Sequence, residues 1–165
     1  MKHLINILFF FILMISDNAF ACDCYSQKSF LEVVPKSDFV ALVKVEKYLS
    51  FKDIYNKKTA MSMEVEIIDI YKGNEKRKKV IVWGDIGYLC RPYLSLFEEG
   101  KYYVIAFEKG SEGSGKFGHK DEKITDYAIS ICGEYWLKAD LKKQKALGFI
   151  NKNKIRLKDL KDKIK

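Results

Sequence analysis

Met61-Ser62-Met63-Glu64-Val65-Glu66-Ile67-Ile68-Asp69-Ile70-Tyr71 is the stretch that decides the fold. Met63, Val65 and Ile67 alternate with Glu64 and Glu66, the two-residue period of a strand with one face on a core. The alternation slips by one at Ile68, which predicts a β-bulge and a strand that bends sharply. Lys72-Gly73-Asn74-Glu75 then reads as a turn, and residues 79–83 as the returning strand of a hairpin. On the other side, residues 38–48 read Asp-Phe-Val-Ala-Leu-Val-Lys-Val-Glu-Lys-Tyr, rich in branched and aromatic side chains, and form a third strand. The polar residues 52–58 between them read as a hinge or loop. Together these segments predict a strongly bent antiparallel meander.

Two more strands are expected at residues 101–107, Lys-Tyr-Tyr-Val-Ile-Ala-Phe, and at residues 124–131, which lead into Cys132. Residues 84–100, containing Cys90, have little periodicity, and residues 109–123 are rich in Gly and Ser and loop-like. Five strands with long, uneven connections suit a small closed barrel better than a sandwich. Ahead of the first strand, Ser29 is placed to cap a short helix over residues 30–34 that Pro35 helps to end. After Leu137 the period changes. Leu141, Leu147, Phe149 and Ile150 among lysines predict an amphipathic helix ending near Gly148 or Asn151, and Ile155, Leu157, Leu160 and Ile164 a second one in residues 152–165. There is no internal repeat.

The 165 residues open with Lys2 and His3, an apolar run over residues 4–15 and a small-residue cleavage site at Ala19-Phe20-Ala21. That run is shorter than the roughly 20 residues a membrane span needs, and the pattern is that of a secretory signal peptide. The expected organisation is a leader at 1–21, one domain at 22–150 and a basic, partly helical tail at 151–165. A secreted, periplasmic or cell-envelope location follows from the leader. A cysteine at the leader's end is also where bacterial lipoproteins are acylated, although Ala19 replaces the usual leucine and Phe20 the usual small residue. Acylation would consume both the Cys22 thiol and its amine, so lipid anchoring and a free Cys22 terminus exclude each other.

The net charge of +8 is concentrated at the carboxyl end, where residues 138–165 hold eleven Lys/Arg against Asp140, Asp159 and Asp162. A lysine-rich end can adhere to anionic surfaces, while an export signal argues against nucleic acid as the partner. All four cysteines, Cys22, Cys24, Cys90 and Cys132, follow the leader, and an even number in an exported chain argues for disulfides. Cys22 and Cys24 are too close to pair comfortably, leaving Cys22–Cys90 with Cys24–Cys132 or the crossed alternative. Each bridge would be worth roughly 4 kcal/mol in the chain-entropy account. The rival is a four-thiolate zinc, against which stand an oxidising compartment and the absence of any C-x-x-C spacing.

Several features recur together: Cys22-Asp23-Cys24 at the mature start, Ser37-Asp38-Phe39-Val40 opening the first strand, and residues 64–73 ending Ile-Tyr-Lys-Gly. Cys90 ahead of Phe97-Glu98-Glu99-Gly100-Lys101, and Cys132 ahead of Trp136, complete the set. In this order they resemble the amino-terminal, netrin-like domain of the tissue inhibitors of metalloproteinases (TIMP family), over roughly residues 22–147. The resemblance implies an OB-type five-stranded closed barrel with a flanking carboxy-terminal helix, bridged Cys22–Cys90 and Cys24–Cys132. It also implies a function: the amine and carbonyl of the first cysteine chelate the catalytic zinc of a target protease. Cys22, Asp23, Cys24, Tyr88, Leu89, Cys90 and Arg91 would then form the protease-contact ridge. The chain departs from the family at Asp23, where a small residue or threonine is usual, and at Arg91, where a small residue is usual. It also lacks the third cysteine pair and the cysteine-rich second domain.

The expectation is therefore a monomeric, secreted, TIMP-like inhibitor without cofactor or metal of its own, whose partner is a zinc metalloprotease. The alternative is a non-inhibitory extracytoplasmic OB-fold binding module or lipoprotein, held at a surface through the basic tail. An enzyme is not expected, since no nucleophile, base and acid set, phosphate loop or histidine pair is present. His119 reads as a solvated loop residue and the scattered carboxylates as lysine-paired surface. Tyr102, Tyr103, Phe107, Tyr127, Tyr135 and Trp136 read as core and rim aromatics.

Overall fold

The computed structural model describes residues 22, 24, 26–113, 118–150, 152 and 154–164. The expected leader lies outside them. After helix α1 (Phe30–Val33) and a 3-10 turn come the strands β1 (Phe39–Ile54), β2 (Lys57–Lys72), β3 (Lys79–Trp83), β4 (Tyr102–Lys109) and β5 (Tyr127–Ala128). These five close on themselves. β1 pairs with β2, β2 with β3, β3 in parallel with β5, β5 with β4, and β4 back onto β1, giving the OB-type closed barrel. Three further strands, β6 (Trp136–Asp140), β7 (Lys145–Leu147) and β8 (Lys154–Arg156), extend the sheet from β4 before helix α2 (Leu157–Ile164).

Closure depends on the first half of β1, where Val40 to Lys44 face β2 on one edge and β4 on the other. Phe39 to Val43 are all buried, so the segment is apolar on both faces. The bulge expected in β2 is present: Leu42 lies opposite Asp69 and Val43 opposite Ile67, leaving Ile68 unpaired and turned to solvent. Met63, Val65, Val82, Val104, Ile105 and Phe107 fill the interior with Leu94 and Phe97. Tyr103, Phe107 and Tyr135 are buried, and Tyr102, Tyr127 and Trp136 lie at the rim. Ser29 and Glu32 form a reciprocal capping box on α1, with the Ser29 N–H donating to Glu32 Oε2 at 2.9 Å.

Four sequence expectations are corrected. Residues 52–58 are not a loop. The β1 and β2 ladders run to Ile54 and restart at Lys57 around a two-residue turn in which Tyr55 and Asn56 have φ of 50° and 60°. This arm projects beyond the barrel, so its polar residues report solvent on both faces and not the absence of pairing. The strand expected over 124–131 shortens to Tyr127–Ala128, because the chain then leaves β4 for a loop before rejoining it as β6. The helix expected after Leu137 is the β6–β7 hairpin. Buried Leu137 and Ala139 alternate with exposed Lys138, and Gln144 turns the chain at φ 52°. The second helix begins only at Leu157, residues 154–156 being strand β8.

The basic end is not wholly solvated. Leu157 and Leu160 are buried in the barrel's core cluster, and Lys161 Nζ reaches Asp69 of β2 at 2.6 Å. Leu160 is only 1 % exposed, so Leu160→Ala should lower the unfolding free energy by roughly 3 kcal/mol. A denaturant titration measures this, and a truly dispensable tail would leave the midpoint unchanged.

Candidate functional site

The chain's two long connections and its amino-terminal segment meet beside the barrel mouth. Cys22 is bonded to Cys90 and Cys24 to Cys132, with Cα–Cα separations of 5.4 and 5.0 Å. Both pairs are used, so a four-thiolate zinc does not form. The bridges span sequence separations of 68 and 108 residues and suit an extracellular or envelope location.

The Cys90 loop is built from its base. Gly84 passes beneath Leu94, where a Cβ would stand 2.7 Å from Leu94 Cγ, so only glycine fits. Asp85, itself buried, gathers three successive donors: the N–H groups of Gly87, Tyr88 and Leu89 reach its Oδ1 at 2.8, 2.9 and 2.8 Å. The Asp85 N–H donates to the Pro92 carbonyl at 3.2 Å and closes the loop. Cys90 sits at φ 56°, and its carbonyl accepts the Ile131 N–H at 3.0 Å, which lays the Cys132 loop along it.

Behind this edge lies a buried polar cluster. The Arg91 guanidinium grips Glu122 with two parallel bonds, at 2.8 and 2.9 Å, and the Glu122 side chain has no solvent exposure. Glu122 also accepts the backbone N–H groups of Ser111 and His119. Burial would push its carboxyl upward, but the bonds from Arg91 and the two N–H groups outweigh it and hold the carboxyl below the usual range. The His119 ring lies against Trp83, centroids 4.7 Å apart and planes tilted by 33°, with Nε2 2.7 Å from the Gly84 carbonyl oxygen. Burial lowers the pKa of this imidazole. Trp83 Nε1 donates to buried Asp126 at 2.9 Å.

The expected ridge residues therefore part company. Cys22, Cys24, Leu89 and Cys90 are half-buried, Tyr88 is 53 % exposed, and Arg91 is withdrawn into the cluster. Asp23 lies outside the described residues. His119 is not a solvated loop residue, and Asp85, Glu122, Asp126 and Glu134 are not surface carboxylates. Sequence reading missed them because the side-chain partners of Glu122 and Asp126, Arg91 and Trp83, are remote; only Asp85, two residues before a glycine, carries a local turn signature. Among the described residues no group of three His, Cys, Asp or Glu is placed to hold a metal. The arrangement is a covalently stapled main-chain edge, braced from behind and faced by Tyr88 and Leu89. No protein-family model and no curated protein matches the chain.

Glu122→Gln leaves Arg91 buried without its counter-charge and should cost about 3 kcal/mol of stability in denaturant unfolding. The pH dependence has a definite sign. Because the folded carboxyl sits below its unfolded value, the Glu122 contribution is complete above pH of about 4.3 and is lost as pH falls through the folded pKa. Acid titration of thermal stability should lose this component in Glu122→Gln and retain it in a control at an exposed carboxylate of the β1–β2 arm, Asp53→Asn.

Proposed function

We propose that the protein is an exported, TIMP-like inhibitor of zinc metalloproteases and not an enzyme, acting through the amine and carbonyl of Cys22 once the leader is removed. The observation that carries this reading is the double staple. Cys22 and Cys24, one residue apart, are each bonded to a different long loop, so a chain beginning at Cys22 would carry its terminal amine on a fixed edge. A ligand fixed before binding loses little entropy when it binds. A catalytic zinc keeps an open coordination position, and a free α-amine with a pKa of about 7.7 to 8.0 deprotonates readily near neutral pH. Tyr88 and Leu89 flank the edge and supply contact area for the protease.

The Cys22 sulfur also bears on the alternative. A sulfur joined to Cys90 cannot carry a thioether-linked lipid, which favours a free terminus over a lipoprotein. Asp23 sets the weakness of the inhibitor. Its carboxylate would be desolvated near the target's catalytic acid, a like-charge contact that opposes binding.

The test is inhibition of a panel of zinc proteases by the chain starting at Cys22, checked by intact mass. One additional residue ahead of Cys22 should abolish inhibition, and Asp23→Thr should strengthen it by roughly tenfold, the equivalent of about 1.4 kcal/mol. Equal inhibition with and without the added residue would refute the mechanism.

A further inference from the structure

We infer that the β7–β8 end of the sheet is a docking face for an anionic lipid bilayer, a role independent of how Cys22 is used. Four apolar side chains stand in solvent there: Phe149 at 56 %, Ile150 at 42 %, and Leu147 and Ile131 at 39 % each. They are held out and do not trail. Glu134, only 7 % exposed, accepts the Ile150 N–H on Oε1 at 2.9 Å, and its own N–H donates to the Lys28 carbonyl at 2.8 Å. Gly148 lies so close over this carboxylate that a Cβ would come within 2.5 Å of Oε1. Phe149 rests against Trp136, ring centroids 5.9 Å apart, on the outer face of β6. A buried carboxylate, a close-approach glycine and an aromatic contact thus fix a short apolar tip in an exposed position.

Cations surround the tip. Leu147 has Lys138 opposite it on β6 and Lys154 opposite it on β8. Lys145 stands between Asp140 on β6 and Arg156 on β8, so this part of the collar carries one acid among its cations. Among the described residues Lys145, Lys152 and Lys154 have no acidic partner within ion-pair distance, whereas Arg156 has Asp159 and Lys138 has Glu98. Lysines on an edge strand also deter edge-to-edge pairing, but that purpose is not served by exposing Leu147, Phe149 and Ile150 beside them. An apolar tip inside a basic collar meets two requirements of a bilayer interface at once, insertion among acyl chains and attraction to anionic headgroups. An acidic polysaccharide would answer the charge and leave the aliphatic side chains unused.

The test is co-sedimentation of the oxidised protein with vesicles of phosphatidylcholine, alone or mixed with phosphatidylglycerol. The mixed vesicles should bind strongly, with loss at high salt, and the neutral ones weakly. Phe149→Ala should weaken binding roughly tenfold, and Lys145→Gln or Lys154→Gln, on exposed faces that the fold does not need, roughly fivefold each. Brominated acyl chains should quench Trp136, the partner of Phe149, independently of any variant. Binding that is unchanged in Phe149→Ala and in Ile150→Ala overturns the inference, as does an absence of Trp136 quenching. Preferential capture by polygalacturonate over the mixed vesicles would reassign the face to polysaccharide and overturn it equally.

Discussion

Burying Arg91 against Glu122 is the constraint on which the disulfide-stapled edge depends. Removing two ions from water carries a penalty of several kcal/mol each, recovered only when the geometry is good and the remaining hydrogen-bonding capacity is filled. Here two guanidinium bonds and two backbone N–H groups supply four donors to the Glu122 carboxylate. The donors come from three places in the sequence, Arg91, Ser111 and His119, so the cluster is favourable only when the Cys90 loop and the Gly/Ser-rich connection are both seated. A partly assembled version would leave a charge buried without compensation. The Cys90 loop is thus fixed from inside, and Trp83 and His119, in tilted contact at 4.7 Å, close the space between the cluster and the barrel.

The disulfides act on that prepared surface. A bridge stabilises mainly by restricting the unfolded chain, with an effect that grows slowly with the loop it closes. The bridges close loops of 68 and 108 residues, so both contribute strongly to stability, yet neither would position Cys22 if the Cys90 loop were free to move. Asp85 and Arg91 supply the missing rigidity, one by collecting the N–H groups of Gly87, Tyr88 and Leu89, the other by anchoring the residue next to the cysteine. Arg91 therefore contributes to the edge as its support and not as part of its face.

What the sequence made legible was local. The alternation from Met63 to Ile67 and its slip at Ile68 named the strand and its bulge, because a two-residue period and a one-residue insertion leave a direct mark on the pattern. Ser29 and Pro35 likewise marked the ends of α1. Composition misled where it was taken to report pairing. Lys52, Asp53, Lys57 and Lys58 are polar because the hairpin arm is wet on both sides, and the spacing of Leu141, Leu147 and Ile150 imitated a helix in a segment where Leu137 and Ala139 alternate. His119 looked like a solvated loop residue, and Glu122 and Asp126 like lysine-paired surface, because nothing within a few positions announces partners such as Gly84, Arg91 and Trp83. Pairs separated so widely in sequence become visible only when the barrel brings β3 and the 110–126 connection together.

The excursion between β5 and β6 links the stapled Cys22 and Cys24 to the β7–β8 end of the sheet. β4 advances only from Glu108 to Ile105 while its partner chain advances from Ala128 to Trp136, and the surplus residues form the Cys132 loop. That loop bonds Cys24 through Cys132, Cys90 through the Ile131 N–H, and Lys28 through the Glu134 N–H. Its Glu134 side chain then reaches the Ile150 N–H on the far side. An interruption that weakens the fifth barrel strand thereby joins the stapled Cys22 and Cys24 to the apolar tip. Because Ile131 and Glu134 belong to both, displacing the tip would disturb the loop that carries Cys132, and the two surfaces are mechanically coupled through a few residues of backbone.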